Sequence, residues 1–386
     1  MGSAGLLPWL APQAAGAQPL LDPATARDWL ARWEPYILSS ARRRYCDREV
    51  GEGVGWRVSP FLNGFYYGYR ATRDPKWLDL LVDWADSWIR RGVPEPDGFT
   101  GWPAQDPDGP GSGGIFAGSL LGEAMALRPL AMMAAAVLGS PALQARWGAP
   151  ARRYLELARR TFDKWNSRGA WRAVEGGGVW VEPGFGIDRQ TGKWTAAFER
   201  RAETGLTHPD NKQNLIALWL LALADATGER AYADRAAEWF RLMRSRLQPR
   251  QGGRYLVWNY WEPAGPWDYK PDGSTRHWVG VHPNGGYYRI DVSGMAAAFE
   301  HRLVFTREEI DRLIATNRDF MWNRELRPAR FQRIDGGPPD PRWKDSPGLL
   351  WTELAPWDET LRNIFLANHN PASWDGLGTT PYAAAA

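Results

Sequence analysis

Ala71-Thr72-Arg73-Asp74-Pro75-Lys76-Trp77-Leu78-Asp79, running on to Asp83-Trp84, and Ala226-Thr227-Gly228-Glu229-Arg230-Ala231-Tyr232-Ala233-Asp234, running on to Glu238-Trp239, are two versions of one pattern, 155 positions apart at every match. In each, a short turn separates an apolar segment, residues 61–69 or 215–224, from an amphipathic one. The second segments place Trp77, Leu80, Leu81, Trp84 and Trp88, or Tyr232, Ala236, Trp239, Phe240 and Met243, at the three- and four-residue spacings of one helical face. The repeating unit read from this stretch is a helical hairpin.

Two fainter copies extend it: residues 130–138 followed across Gly139-Ser140-Pro141 by residues 151–165, and residues 293–305 followed by residues 308–322. In the last, Thr306 with Glu309 three residues on predicts a capping box, which satisfies two backbone donors at a helix start. Strand-like alternation is confined to residues 178–182 and 255–259. Helical hairpins repeated in this way build an open solenoid or a closed ring. The expected fold class is all-α, an (α/α) toroid with long aromatic-rich loops and minor β, formed by one catalytic domain over residues 21–386.

Composition sets the outer bounds. Lys+Arg 47 against Asp+Glu 44 leaves a net charge of +3, and 44% of the 386 residues are apolar, which excludes disordered and fibrous classes. No Lys/Arg run marks a nucleic-acid footprint. The single cysteine, Cys46, excludes an internal disulfide framework and a cysteine zinc site. No stretch reaches the ~18 consecutive apolar residues of a membrane span, so no membrane partner is expected. Residues 4–18, AGLLPWLAPQAAGAQ, fit the tail of a secretory signal peptide or a disordered extension, and residues 1–20 are set apart on that ground. The signal-peptide reading places the protein outside the cytoplasm, secreted or periplasmic.

The chain holds 24 Trp, 13 Tyr and 13 Phe. Those on helical faces are expected to pack. Others fall in three long loops, residues 92–119, 168–207 and 248–292, and long loops between hairpins point to function. Trp102, Trp180, Trp258, Tyr260, Trp261, Trp278 and Tyr287 are therefore expected to line a groove in which sugar rings stack on aromatic faces and hydroxyls meet polar side chains.

Two motifs can carry chemistry. Thr207-His208-Pro209-Asp210-Asn211-Lys212-Gln213-Asn214 opens an apolar helix. It reads either as capping by Asp210 or Asn211, or as an amide and an imidazole at a helix N-terminus, where backbone dipoles favour a carboxylate. The second runs from Arg276-His277-Trp278 through His282-Pro283-Asn284-Gly285-Gly286-Tyr287-Tyr288-Arg289-Ile290-Asp291 to Ser293-Gly294. Asp291 or Ser293 can cap the following helix there, and the glycines can turn the chain, but the stretch also gathers His, Tyr, Arg and Asp. Removing the proton α to a uronate carboxylate and expelling the 4-linked sugar requires a group to neutralise the carboxylate, a base and an acid. His208, Asn211, Asn214, His282, Tyr288 and Arg289 supply such a set without a cofactor or metal.

The hairpin organisation, the helix start NKQNLIALW ending at Trp219, and the element from His282 to Tyr288 resemble the α/α-toroid polysaccharide lyases of the alginate-lyase and glucuronan-lyase type. The resemblance centres on residues 200–325. It implies that Asn211 or Asn214 with His208 neutralises the uronate, and that Tyr287 or Tyr288, with His282 nearby, handles the protons. His208 precedes the asparagines here, where the alginate-lyase pattern has the histidine after them. The partner implied is a polysaccharide or oligosaccharide, with no oligomeric state indicated.

Other readings use the same residues. A glycoside hydrolase needs two carboxylates ~5–9.5 Å apart, for which Glu203, Asp210, Glu262, Asp268 and Asp291 are candidates. A uronate C5-epimerase would share the His/Tyr apparatus, and a non-catalytic glycan-binding toroid would need the aromatics alone. Walker-type, His-Glu-x-x-His and Gly-x-Ser-x-Gly motifs are absent from the sequence. Gly109–Gly114 reads as a flexible loop, His301 as a structural partner within a helix, and His369 has no assigned role.

Overall fold

Asp22 begins the first helix by accepting hydrogen bonds from the amides of Ala24 and Thr25, with Pro23 in the first turn, and α1 spans Pro23–Ala41. The computed structural model describes residues 19–105, 115–188, 190–195, 204–338 and 348–385. Residues 1–18, the 109–114 glycine loop and Glu203 lie outside the described residues.

The quoted repeat forms two helical hairpins with the same turn chemistry. α2 (Ser59–Thr72) leads into α3 (Lys76–Arg90), α4 (Leu120–Leu138) into α5 (Pro141–Ser167), and α6 (Asp210–Thr227) into α7 (Arg230–Arg246). In the first and third, Thr72 and Thr227 donate their hydroxyls to the carbonyls of Gly68 and Leu223 and accept from the amides of Asp74 and Glu229. Arg73 and Gly228 both adopt the left-handed conformation that ends a helix, at φ 61° and 71°. A fourth hairpin joins α8 (Gly285–Glu300) to α9 (Arg307–Ala315), whose capping box at Thr306 and Glu309 forms as expected. α10 (Glu359–Asn368) and α11 (Gly376–Ala385) complete the helices.

Burial separates the helices into two kinds. α4 and α6 are buried on most sides, so they are central, whereas α3, α5 and α7 bury one stripe. α2 packs on α4, α4 on α6 and α6 on α8, while α3, α5, α7 and α9 back the helix before them. α11 returns to pack on both α1 and α2, and the short 3₁₀ turn Thr352–Trp357 packs on α8 and α10. One hydrophobic core runs from Leu20 to Ala383 and contains the helix-face tryptophans Trp77, Trp84, Trp88 and Trp239. α4 is long and apolar enough to cross a membrane by composition, but it is mostly buried within this pack.

Short antiparallel pairs lace the loops. β1 (Val93–Pro94) pairs with β2 (Thr100–Gly101). β3 (Ala104–Gln105) and β4 (Ile115–Ala117) join β7 (Gly186–Asp188) and β8 (Trp194–Thr195) in one sheet, and β5 (Trp171–Val174) and β6 (Gly177–Trp180) form a separate pair. β9 (Gln248–Arg250) pairs with β10 (Tyr255–Val257). A buried ion network, absent from the sequence expectations, fixes part of this region. Lys164 of α5 reaches Glu95 at 2.9 Å and Glu123 of α4 at 2.7 Å, and Arg168 joins Glu95 to Asp97, both at 2.8 Å.

Three boundaries differ from expectation. α8 starts at Gly285 rather than Ser293 because Asn284 caps it, its side chain accepting from the Gly286 amide, so neither Asp291 nor Ser293 is a cap. α9 ends at Ala315 and gives way to a π-helical turn, Thr316–Met321. His301, expected within the helix, lies just past the end of α8 and bonds Asp225 of α6 at 3.2 Å.

Candidate functional site

The starts of α6 and α8 meet through a buried polar network. Asn214, one turn into α6, donates to the Asp210 carbonyl at 2.9 Å and to Asp291 of α8 at 2.8 Å, and accepts from the Trp239 indole at 2.9 Å. The other Asp291 oxygen accepts from Trp258 at 2.9 Å. Burial, with the charge of Asp210 added, raises the Asp291 pKa well above the carboxylate range. The Asp210 amide donates to the Tyr260 carbonyl at 3.1 Å, and its side chain accepts from Arg246 at 2.6 Å. Burial pushes the Asp210 pKa up to about 7, which the Arg246 charge opposes.

At this helix start several buried polar atoms have no hydrogen-bond partner among the described residues: His208 Nε2, Asp210 Oδ2 and Asn211 Oδ1. Glu182 Oε2 stands 3.7 Å from His208 Nε2, beyond hydrogen-bond range. Burial, with Lys212 adding positive charge nearby, lowers the His208 pKa to about 3, so its ring is neutral at physiological pH. No side chain caps α6: Pro209 holds the cap position and Asp210 turns to Arg246. Buried polar groups are nearly always paired, so three unpartnered atoms on one helix start make this a candidate site.

Tyr260, whose carbonyl accepts from the Asp210 amide, belongs to an aromatic cluster. The Tyr260 ring stacks on Trp278 at 5.7 Å and on Tyr287 at 5.1 Å, and His282 packs against Tyr260 and Tyr287, both at 4.7 Å. Trp278 is 45% exposed. The amide of Asn284 donates to His282 Nδ1 at 3.0 Å, which places the proton of the neutral ring on Nε2. The His282 amide donates to the Tyr288 hydroxyl oxygen at 2.7 Å. Burial raises the Tyr260 pKa, so its phenol stays protonated.

The structure therefore divides the expected site residues. It brings together His208, Asn211, Tyr260, Trp278, His282 and Tyr287. Every polar atom of the Asn214 side chain is already bonded within the core. Arg289 pairs with Glu353 and with Asp375 at 2.8 Å and bonds Thr379 of α11, so its charge is spent on joining α8 to the end of the chain. Tyr288 is buried beneath His282 and supports it. Trp102, Trp258 and Trp261 are core residues despite lying in loops, and Trp180, which ends β6, is buried too. Two of the indoles anchor backbone: Trp102 donates to the Trp88 carbonyl in α3 and Trp261 to the Thr207 carbonyl just before α6, both at 2.8 Å. Trp180 is fixed through its backbone by Gln213 at 2.8 Å on both sides. Of the candidate carboxylates, Asp268 is consumed by Thr207 and the Ala264 amide. Glu262, held by Asn259 at 2.7 Å, stays half-buried near Asp210.

Two contributors escaped the sequence reading. Lys212 Nζ, beside Asn211, pairs at 3.0 Å with Glu52, whose other oxygen accepts from the Trp56 indole at 2.9 Å. The signal available was the sequence context, since Gly53-Val54-Gly55-Trp56 precedes α2 much as Trp278-Val279-Gly280 precedes α8. His369, unassigned from sequence, bonds Thr380 at 2.8 Å and packs on Trp29. Among the described residues, no group of three or more His, Cys, Asp or Glu side chains could hold a metal ion. Compared with known proteins, the chain matches no family model and no curated relative.

Proposed function

We propose that this chain is an (α/α) toroid that acts on uronic-acid-containing polysaccharides by β-elimination outside the cytoplasm. The succession α2, α4, α6, α8, with α11 returning to α2 and Arg289 tying α8 to α11, supports a closed ring. The observation that carries the catalytic reading is the stacked group Tyr260, Trp278, His282 and Tyr287, joined through the Tyr260 carbonyl to the Asp210 amide at a helix start with three unpartnered buried polar atoms. In this reading a sugar ring stacks on the aromatics, and Asn211 with the Nε2–H of His282 binds the carboxylate as negative charge develops. Tyr287 takes the C5 proton as its phenolate, its own proton having first passed to solvent. Protonated Tyr260 donates to O4 as the C4–O4 bond breaks and the C4=C5 double bond forms.

Glycoside hydrolysis is the second reading. It is favoured by Asp210, a carboxyl poised near pH 7 with a free oxygen, and by the neighbouring carboxylate of Glu262. Incubation with acidic and neutral glycans separates the two: a lyase releases 4,5-unsaturated uronates that absorb in the ultraviolet, a hydrolase only new reducing ends. On the substrate so found, His282→Ala and Tyr287→Phe are expected to lower kcat by about 10²–10⁴-fold. Wild-type rates in both would remove this cluster from the mechanism.

A further inference from the structure

Most tryptophans of this protein are buried, so an exposed one held rigidly in place calls for a reason. Trp56 is 38% exposed. Its ring takes part in no aromatic stacking or cation–π contact among the described residues. Its edge is pinned, because Nε1 donates to Glu52 at 2.9 Å and Glu52 in turn holds Lys212 at 3.0 Å. The backbone beneath it is a π-helical turn, Val54–Val58, a form that is rare and recurs at functional positions.

That turn is clamped from below. The Gly51 amide donates to the Trp102 carbonyl at 2.7 Å, and a Cβ on Gly122 of α4 would overlap the Gly51 carbonyl oxygen. A Cβ on Gly55 would likewise strike Met125 of α4. Arg57 closes the turn onto Glu49 at 3.0 Å. The segment thus reaches across the start of α4 and brings Trp56 and Glu52 to Lys212 in the first turn of α6, next to the orphaned polar atoms.

Resting on the sugar-cleft reading above, we propose that Trp56 is a second ring-stacking platform of the same cleft. It would take a further pyranose unit of the chain whose first unit stacks at Tyr260 and Trp278. The Glu52–Lys212 pair supplies an acceptor and donors to the hydroxyls between them, the combination a sugar recognises: a flat apolar face beside paired polar groups.

The test is affinity electrophoresis of the full chain in gels containing alginate, glucuronan or xylan, with wild type, Trp56→Ala, Trp56→Phe and Trp278→Ala compared. Wild type is expected to be retarded by at least one polymer. Trp56→Ala and Trp278→Ala should each bind that polymer about 3- to 10-fold more weakly, and Trp56→Phe should recover most of the loss. Circular dichroism and melting curves matching wild type establish that the variants are folded. If Trp278→Ala weakens binding and a folded Trp56→Ala does not, the second platform is overturned while the cleft at Tyr260 stands. If wild type is retarded by none of the three polymers, the sugar-cleft reading fails and the platform fails with it.

Discussion

Asp210 and His208 show how two residues apart on one helix start can pull stability in opposite directions with pH. The folded pKa of Asp210 is raised to about 7 from 3.8, so its contribution is fully present below about pH 4 and is lost as pH rises through 7. The folded pKa of His208 is depressed to about 3 from 6.5, so its contribution is present above 6.5 and is lost as pH falls through 3. The two slopes oppose each other between about pH 4 and 6.5, so urea denaturation should show stability rising more steeply with pH in Asp210→Asn than in wild type. His208→Gln should remove part of the acid sensitivity instead. Unchanged slopes in both variants would show that neither group titrates as buried. At this scale the sequence named His208, Asn211, Tyr260, Trp278, His282 and Tyr287, because polar and aromatic residues just before helices are visible in order. It could not separate them from Asn214, Arg289 or Trp258, whose atoms are engaged by partners 25 to 90 positions away.

At the scale of elements, loop position did not mean exposure. Trp102 and Trp261 sit in segments with no helical period, yet each indole covers a helix end and satisfies a backbone carbonyl there, which makes them loop anchors. The glycines of α4 work similarly. Gly122→Ala would press a Cβ into the Gly51 carbonyl and displace the turn that carries Trp56, at a cost of about 1–3 kcal/mol. Gly378→Ala in α11 meets only Asn63 Cβ at an ordinary 3.8 Å, and a helix gains about 0.4–1 kcal/mol from such a change. Thermal melting should thus move down for the first and up or not at all for the second; equal shifts would contradict the close approach of α4 to the Gly51 turn. α8 starts earlier than its sequence predicts because Asn284 supplies the cap, while Asp291 is drawn into the core by Asn214 and Trp258.

Across the whole molecule, charges join segments that the sequence holds apart. Lys164 binds the end of α5 to the start of α4 and to the β1–β2 loop, and both of its carboxylate partners are buried. Lys164→Met leaves Glu95 and Glu123 without it and is expected to cost about 3–5 kcal/mol, read as a fall in the denaturation midpoint. A fall below 1 kcal/mol would show that the carboxylates find water. The end of the chain has a similar part: the Trp33 indole donates to the Leu377 carbonyl at 3.0 Å, and α11 covers both α1 and α2. Removing residues 376–385 should lower the melting temperature and expose dye-binding apolar surface, and an unchanged melt would show that α11 adds nothing to the core. The sequence alone determined the helical hairpins, their repeat and the turn chemistry that ends them, because periodicity, caps and left-handed positions are properties of neighbours along the chain. Only the tertiary structure decided which aromatics face solvent, which charges are already paired and which polar atoms are left without partners, because each depends on what distant segments bring to the same few ångströms.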